Sequence, residues 1–122
     1  MRRGVLANRA IIPVTIEARI TWWLYRLDDQ WEKFGQAEEL KLEAKPSEYF
    51  MRQCFISVDV DEHLVEDTVN RLGDDCIVIS TDYPHPDCAY PHAVDKFLAM
   101  EGLSQAAKRK ILWDNCARLY GL

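Results

Sequence analysis

No apolar segment of this sequence approaches the roughly 18 to 20 residues needed to span a bilayer. Its opening, MRRGVLANRAIIP, lacks the uninterrupted apolar core of a secretory signal, so a cytoplasmic location and no membrane partner are expected. There is no basic excess: Lys and Arg number 15 against 20 Asp and Glu, a formal charge of -5, which suits a phosphate backbone poorly and argues against a nucleic-acid partner. The triplet Lys108-Arg109-Lys110 is accordingly expected on the solvated face of a helix. No two of Cys54, Cys76, Cys88 and Cys116 stand closer than 12 residues, which excludes the close pairs of zinc knuckles and leaves reduced, mostly buried thiols. Nor is there an internal repeat or a low-complexity segment.

What is present is a hydrophobic content of 48% in 122 residues. That is enough for one domain burying roughly two thirds of its unfolded surface. Residues 2 to 10 read as the tail of a helix or a loop, and residues 11 to 18, IIPVTIEA, as a strand in which Pro13 is awkward for a central position. Ile20, Leu24, Leu27, Trp31 and Phe34 recur at the three-and-four spacing of a helix with one buried stripe, broadened by Trp23 and ended by Gly35. Residues 36 to 45 are a charged surface connection, and Pro46-Ser47-Glu48 opens the next helix or turn. Cys54 to Val60, CFISVDV, alternates apolar and polar residues as a second strand does. Asp59 or Asp61 is placed to cap the following helix, whose inward face is Leu64, Val65, Thr68, Val69 and Leu72, with Gly73 at its end and His63 exposed near its start. Pro91 suits the first turn of a helix with Val94, Phe97 and Leu98 inward, and Ser104 the N-cap of a last helix carrying Ala107, Ile111, Leu112 and Trp113. Strand, helix, strand, helix, strand, helix is the order of parallel βαβ units.

The stretch on which function turns is Cys76 to Asp87, CIVISTDYPHPD. Cys76, Ile77, Val78 and Ile79 form the continuous apolar run of a strand covered on both faces, of the kind that is parallel and central. Pro84 and Pro86 cannot donate to a ladder, so the strand stops near Asp82. In parallel α/β folds ligands gather at the carboxyl ends of strands, which makes Asp82 a site candidate beside the ordinary reading of an Asp as turn-former or cap.

Ser80-Thr81-Asp82-Tyr83-Pro84-His85-Pro86-Asp87 resembles the last-strand signature of the amidohydrolase-related family, metal-dependent (β/α)8 TIM barrels that include aminocarboxymuconate semialdehyde decarboxylase. Residues 22 to 28 (WWLYRLD), Pro46 to Phe50 with Arg52-Gln53-Cys54, and Asn115 to Leu122 (NCARLYGL) resemble further blocks of that family's C-terminal portion, in order. The resemblance implies an α/β fold in which residues 1–122 form a single incomplete domain, the last three strand-helix units of a barrel with parallel strands. A whole barrel needs about 250 residues, so the chain is expected to be about half of it. The resemblance further implies a divalent metal, zinc first, with Asp82 as metal ligand and catalytic proton acceptor, and with His85 and Glu17 lining a site for a small organic acid, amide or related substrate. Hydrolysis and decarboxylation both remain open. The family's His-x-His pair is missing, and the three histidines, His63, His85 and His92, do not replace it. His85 and Asp87 follow Asp82 by three and five residues, but Pro84 and Pro86 are expected to keep them from converging with it. The isolated chain is thus expected to hold most of its metal site elsewhere or to bind no cofactor at all. Its open strand edges imply a homo-oligomer or a complementary N-terminal barrel piece, and the alternative function is a non-catalytic self-associating half-barrel.

Overall fold

The computed structural model describes residues 10–13, 17–37, 41–60 and 62–122. Within them three strands form one parallel sheet in the order β1 (Ala10–Pro13), β2 (Cys54–Asp59), β3 (Ile77–Ser80). Helices α1 (Glu17–Phe34) and α2 (Pro46–Gln53) follow β1, and α3 (Val65–Leu72) follows β2. After β3 come α4 (Ala93–Leu98), α5 (Gln105–Arg109), a π-helical turn (Lys110–Asp114) and α6 (Asn115–Tyr120). Parallel neighbours require crossover connections, and the alternation of strand and helix supplies them.

The strands divide their side chains between two faces. Ile56 and Val58 of β2 and Ile77 of β3 join Ile20, Leu24, Val65, Phe97 and Ile111 of the helices in one core, with Ile79 packed against it. By the two-residue period of a strand, Phe55, Ser57 and Asp59 of β2 and Val78 and Ser80 of β3 lie on the other face. That second face is graded. It is apolar at Phe55, whose ring lies 5.0 Å under the Arg118 guanidinium, and polar at its carboxyl end, where Asp59 stands in register with Ser80.

Several expectations from periodicity are corrected. The first strand ends at Pro13 rather than Ala18, and Glu17 opens α1, three residues before the helix start that the apolar pattern marks; the expectation for residues 2 to 9 lies outside the described residues. Of the α1 stripe, Ile20 and Leu24 are buried while Leu27 (46%), Phe34 (51%) and Trp23 (53%) stay exposed. Only the first half of α1 meets the core; its second half meets α2, where Asp28 accepts from the Ser47 backbone N–H (2.9 Å) and hydroxyl (2.6 Å). Leu64, Val94, Leu98 and Trp113 are likewise exposed. The N-cap of α3 is Leu64, so neither Asp59 nor Asp61 caps that helix; Asp59 ends β2. Pro91 lies before α4, whose N-cap is His92. Strand β3 is parallel but lies at the edge of the sheet, with β2 at its centre. The basic triplet is not a solvated face. Lys108 is buried and donates from Nζ to the Leu98 carbonyl at 2.7 Å, and Lys110 reaches Asp74 and Asp75, leaving Arg109 exposed. Of the four thiols only Cys76 is buried; Cys54, Cys88 and Cys116 are half-buried. Ser104 caps α5 as expected, its hydroxyl accepting from the Ala107 N–H at 3.1 Å. No helix among the described residues is long and apolar enough to cross a membrane.

Candidate functional site

Ser80, the last residue of β3, and Thr81 lead into Asp82, and both shape it. The Ser80 hydroxyl accepts the Asp82 N–H at 3.2 Å and the Thr81 hydroxyl accepts the Tyr83 N–H at 3.4 Å, local bonds that replace the next rungs of the ladder. Asp82 then takes φ 55°, the left-handed region that short polar side chains tolerate better than branched ones. A tight turn follows, in which the His85 N–H donates to the Asp82 carbonyl at 2.9 Å and the Cys88 N–H to the His85 carbonyl at 3.1 Å. The Tyr83 and Tyr90 rings meet in a tilted contact with centres 4.8 Å apart.

The turn overturns the expectation that Pro84 and Pro86 hold the polar residues apart. Both prolines ride on the folded-back segment, and one ligand atom from each of Asp82, His85 and Asp87 lies within 4.8 Å of the other two. His85 Nδ1 is 3.7 Å from Asp82 Oδ2, and all three side chains are exposed. Donors sharing one divalent cation at about 2.1 Å stand about 3 to 4.2 Å apart, so this set fits such a cation after a small adjustment of exposed side chains. One imidazole and two carboxylates suit zinc or manganese by donor chemistry.

Asp82 and Asp87 also line a cleft of about 260 Å³ together with Asp59, Ser80, Thr81 and Cys88. Asp59 is the residue that sequence reasoning assigned to a cap. The signal that could have placed it here is its position as the last residue of an alternating strand, on the face away from the core and beside the strand that leads to Asp82. A larger groove of about 480 Å³ lies between α1 and α3, walled by Trp22, Tyr25 and Leu64. We place the site in the smaller cleft, because it sits at the carboxyl ends of parallel strands and holds the convergent donors. Glu17 is the first residue of α1, after β1 in the chain, and its side chain lies outside what the structure describes.

At the opposite, amino end of β3 the frame is charged and tightly bonded. Asn115, buried, donates from Nδ2 to the carbonyls of Asp74 (2.6 Å) and Ile77 (2.7 Å), and Arg118 donates to the Asp75 carbonyl. Lys110 Nζ lies 2.8 Å from both Asp74 Oδ1 and Asp75 Oδ1. The hydrogen bond from Lys110 holds the Asp75 carboxyl below the usual carboxylate range, and those bonds raise the Lys110 ammonium above its ordinary value. Burial pushes the Cys76 thiol up to about 11 and raises that of Cys54.

The fold has counterparts. Among solved structures, 5-carboxyvanillate decarboxylase from Sphingomonas paucimobilis aligns with TM-score 0.75 and 27% identity over 92% of this chain and 33% of that one. A 2,6-dihydroxybenzoate decarboxylase complexed with 2,6-dihydroxybenzoate aligns with TM-score 0.63 and 24% identity over 92% of this chain and 34% of its own. A dihydroxybenzoic acid decarboxylase from Polaromonas sp. JS666, solved with manganese and the inhibitor 2-nitroresorcinol, gives TM-score 0.60 and 24% identity over 92% and 33%. The last two likenesses are of fold alone. No curated protein matches the chain. The chain spans about a third of the length of these structures, not the half expected from barrel size. The family model described as Amidohydrolase matches residues 16–122, and with the strand-end Asp82 and the parallel sheet behind it, this chain belongs to the amidohydrolase family.

Proposed function

We propose that the chain supplies the last three strand-helix units of a (β/α)8 TIM barrel in a metal-dependent enzyme of the amidohydrolase family, and that the enzyme decarboxylates or hydrolyses a small organic acid, amide or related compound. The observation that carries this is Asp82, set at the carboxyl end of a parallel strand beside His85, in a chain of this family. A likeness at 27% identity is to a decarboxylase, which favours decarboxylation of an aromatic carboxylic acid.

In this reading Asp82 holds a divalent metal, zinc or manganese. When bound, such a cation polarises a substrate oxygen. The residues of the chain do the remainder. The Asp82 carboxylate has lone pairs enough to ligate through one oxygen and hold a proton on the other. The Ser80 and Thr81 hydroxyls, committed to backbone N–H groups, keep Asp82 at the rim. His85 lines the mouth, and Asp59 presents a second carboxylate across the cleft. Glu17 is assigned to the same rim. An acidic cleft repels an anionic substrate until a cation neutralises it, which makes metal a condition of binding a carboxylate.

Strands and ligands from another chain complete the site, either a complementary N-terminal barrel piece or a second copy. Exposed Trp22, Trp23, Leu27, Phe34 and Trp113 give such an assembly apolar surface to cover. A cytoplasmic location accompanies this reading. The same exposed surface favours the second reading, a self-associating half-barrel without catalysis. The test is turnover by the chain at its native mass, alone and with any co-purifying chain, on a panel of aromatic carboxylic acids and amides with added manganese or zinc. Turnover that falls at least about a hundredfold in Asp82→Asn is the expected result. A metal-loaded assembly that turns over none of them supports the second reading and sinks the first.

A further inference from the structure

We infer that the groove between α1 and α3 is the contact through which two copies of this chain associate about a two-fold axis, with Asp67 of each copy paired to Arg71 of the other. The groove, about 480 Å³, shares no lining residue with the strand-end cleft, so the inference goes beyond the proposed reaction and stands whichever reading of that cleft holds. Leu64, Asp67, Thr68 and Arg71 form its α3 wall at the three-and-four spacing of one helix face, and Trp22 and Tyr25 line it from α1. Thr68 is buried, and the other five are exposed. Trp, Tyr and Arg are the side chains that most often carry binding energy where two protein surfaces meet.

The charge pattern selects a second copy as the occupant. On these two helices Asp29 holds Arg26 at 3.1 Å and Lys33 at 2.7 Å, Glu32 holds Lys45 at 2.6 Å, and Glu66 accepts the Gly102 N–H at 3.0 Å. Asp67 and Arg71, by contrast, have no ion pair or hydrogen bond among the described residues. They stand one turn apart on one exposed face with opposite signs. A two-fold contact brings residue i of one copy to residue j of the other and j to i, so an acid and a base one turn apart complement themselves when α3 meets its own copy antiparallel. A patch of one sign would repel its copy. Exposed ion pairs contribute little alone, so Trp22, Tyr25 and Leu64 of both copies supply the area and the charges set the orientation. Asp67 in the first turn of α3 and Arg71 in the last also suit the helix dipole, a role that needs no partner and that the test separates from pairing.

Sedimentation equilibrium of the full chain reads the association, and far-UV circular dichroism certifies that each variant is folded. The wild type is expected to dimerise. Asp67→Arg and Arg71→Asp should each weaken dimerisation at least about tenfold, because each turns both reciprocal contacts into like-charge pairs. Trp22→Ala should weaken it as well, through lost apolar area. Mixed in equal amounts, the two charge variants should recover association as a heterodimer, since the wholly basic patch of one then meets the wholly acidic patch of the other. If Asp67 and Arg71 serve only the dipole of their own helix, mixing restores nothing. A wild type that stays monomeric up to about 100 μM, weak for any specific contact, overturns the inference. So does dimerisation unchanged in both charge variants, or a mixture that stays monomeric.

Discussion

Replacing Asn115 with alanine is expected to destabilise the chain by about 2 to 4 kcal/mol, far more than loss of one small polar side chain from a helix surface. Asn115 is 3% exposed, and its Nδ2 donates at 2.7 Å to the Ile77 carbonyl and at 2.6 Å to the Asp74 carbonyl. The Ile56 N–H bonds the Cys76 carbonyl at 2.7 Å, so Cys76 faces β2, and the Ile77 carbonyl points to the outer edge of the sheet, where no strand among the described residues pairs with it. Asn115 therefore stands in for the missing rung. Alanine leaves the buried Ile77 carbonyl without that donor, at about 1 to 3 kcal/mol, and the partly buried Asp74 carbonyl, which water can reach, at about 1 kcal/mol. Urea denaturation followed by far-UV circular dichroism reads the loss. For an m-value of about 1 to 3 kcal/mol/M the midpoint should fall by roughly 1 M or more. Asn115→Asp offers acceptors to two carbonyls and should be at least as damaging at neutral pH. A change of less than about 0.5 kcal/mol in Asn115→Ala, or an Asn115→Asp variant more stable than it, would refute the reasoning.

The clamp of Lys110 on Asp74 and Asp75 should make stability depend on pH at both ends. Asp75, depressed in the folded state by its bond from Lys110, contributes above its unfolded value of about 3.9 and loses that contribution as pH falls through the lower folded value. Lys110, raised by its bonds to Asp74 and then Asp75, contributes fully below about 10.4 and loses it as pH rises through the folded value. The difference in urea midpoint between wild type and Lys110→Met should thus be flat from about pH 5 to 9 and shrink below pH 4; a difference unchanged at pH 2.5 would contradict the assignment. Cys76, its thiol pushed up to about 11 by burial, should be the last thiol labelled by iodoacetamide at pH 8 and should label only as fast as the chain unfolds. Mass spectrometry showing Cys76 modified as quickly as Cys88 would be the contrary result.

Much of the frame was legible because it depends on local rules. Pro46 at the start of α2, Gly35 and Gly73 after their helices and Ser104 as a cap are each dictated by backbone chemistry within one turn. The alternation in CFISVD gave β2 its two faces, and the prolines after Asp82 marked that β3 stops before them, as it does at Ser80. What escaped were properties that depend on distant partners. Lys108 reads as one of three solvated cations until the Leu98 carbonyl is seen ten residues away in sequence. Asn115 gives no local sign that it completes a strand edge 38 residues earlier. The convergence of Asp82, His85 and Asp87 was missed for a different reason. The prolines were weighed as stiffeners, whereas a turn fixed by backbone bonds uses stiffness to hold donors together.

The apolar residues that periodicity turns inward and the structure leaves in water carry the last step. Leu27 and Phe34 of α1 continue the stripe begun by Ile20 and Leu24, yet only the first pair is buried, and Trp113 repeats the pattern beside buried Ile111. Burying each of these large side chains is worth about 1.5 to 3 kcal/mol, so a stripe longer than its core is costly for a chain that stands alone. In the proposed assembly that surplus has a use, because added chain can cover helix surface that the three-stranded sheet does not reach. Asn115 fits the same logic from the other side. A side chain that occupies the first outer rung of β3 protects the edge near Ile77 while leaving the polar carboxyl end, with Ser80 and Asp82, open to whatever completes the cleft.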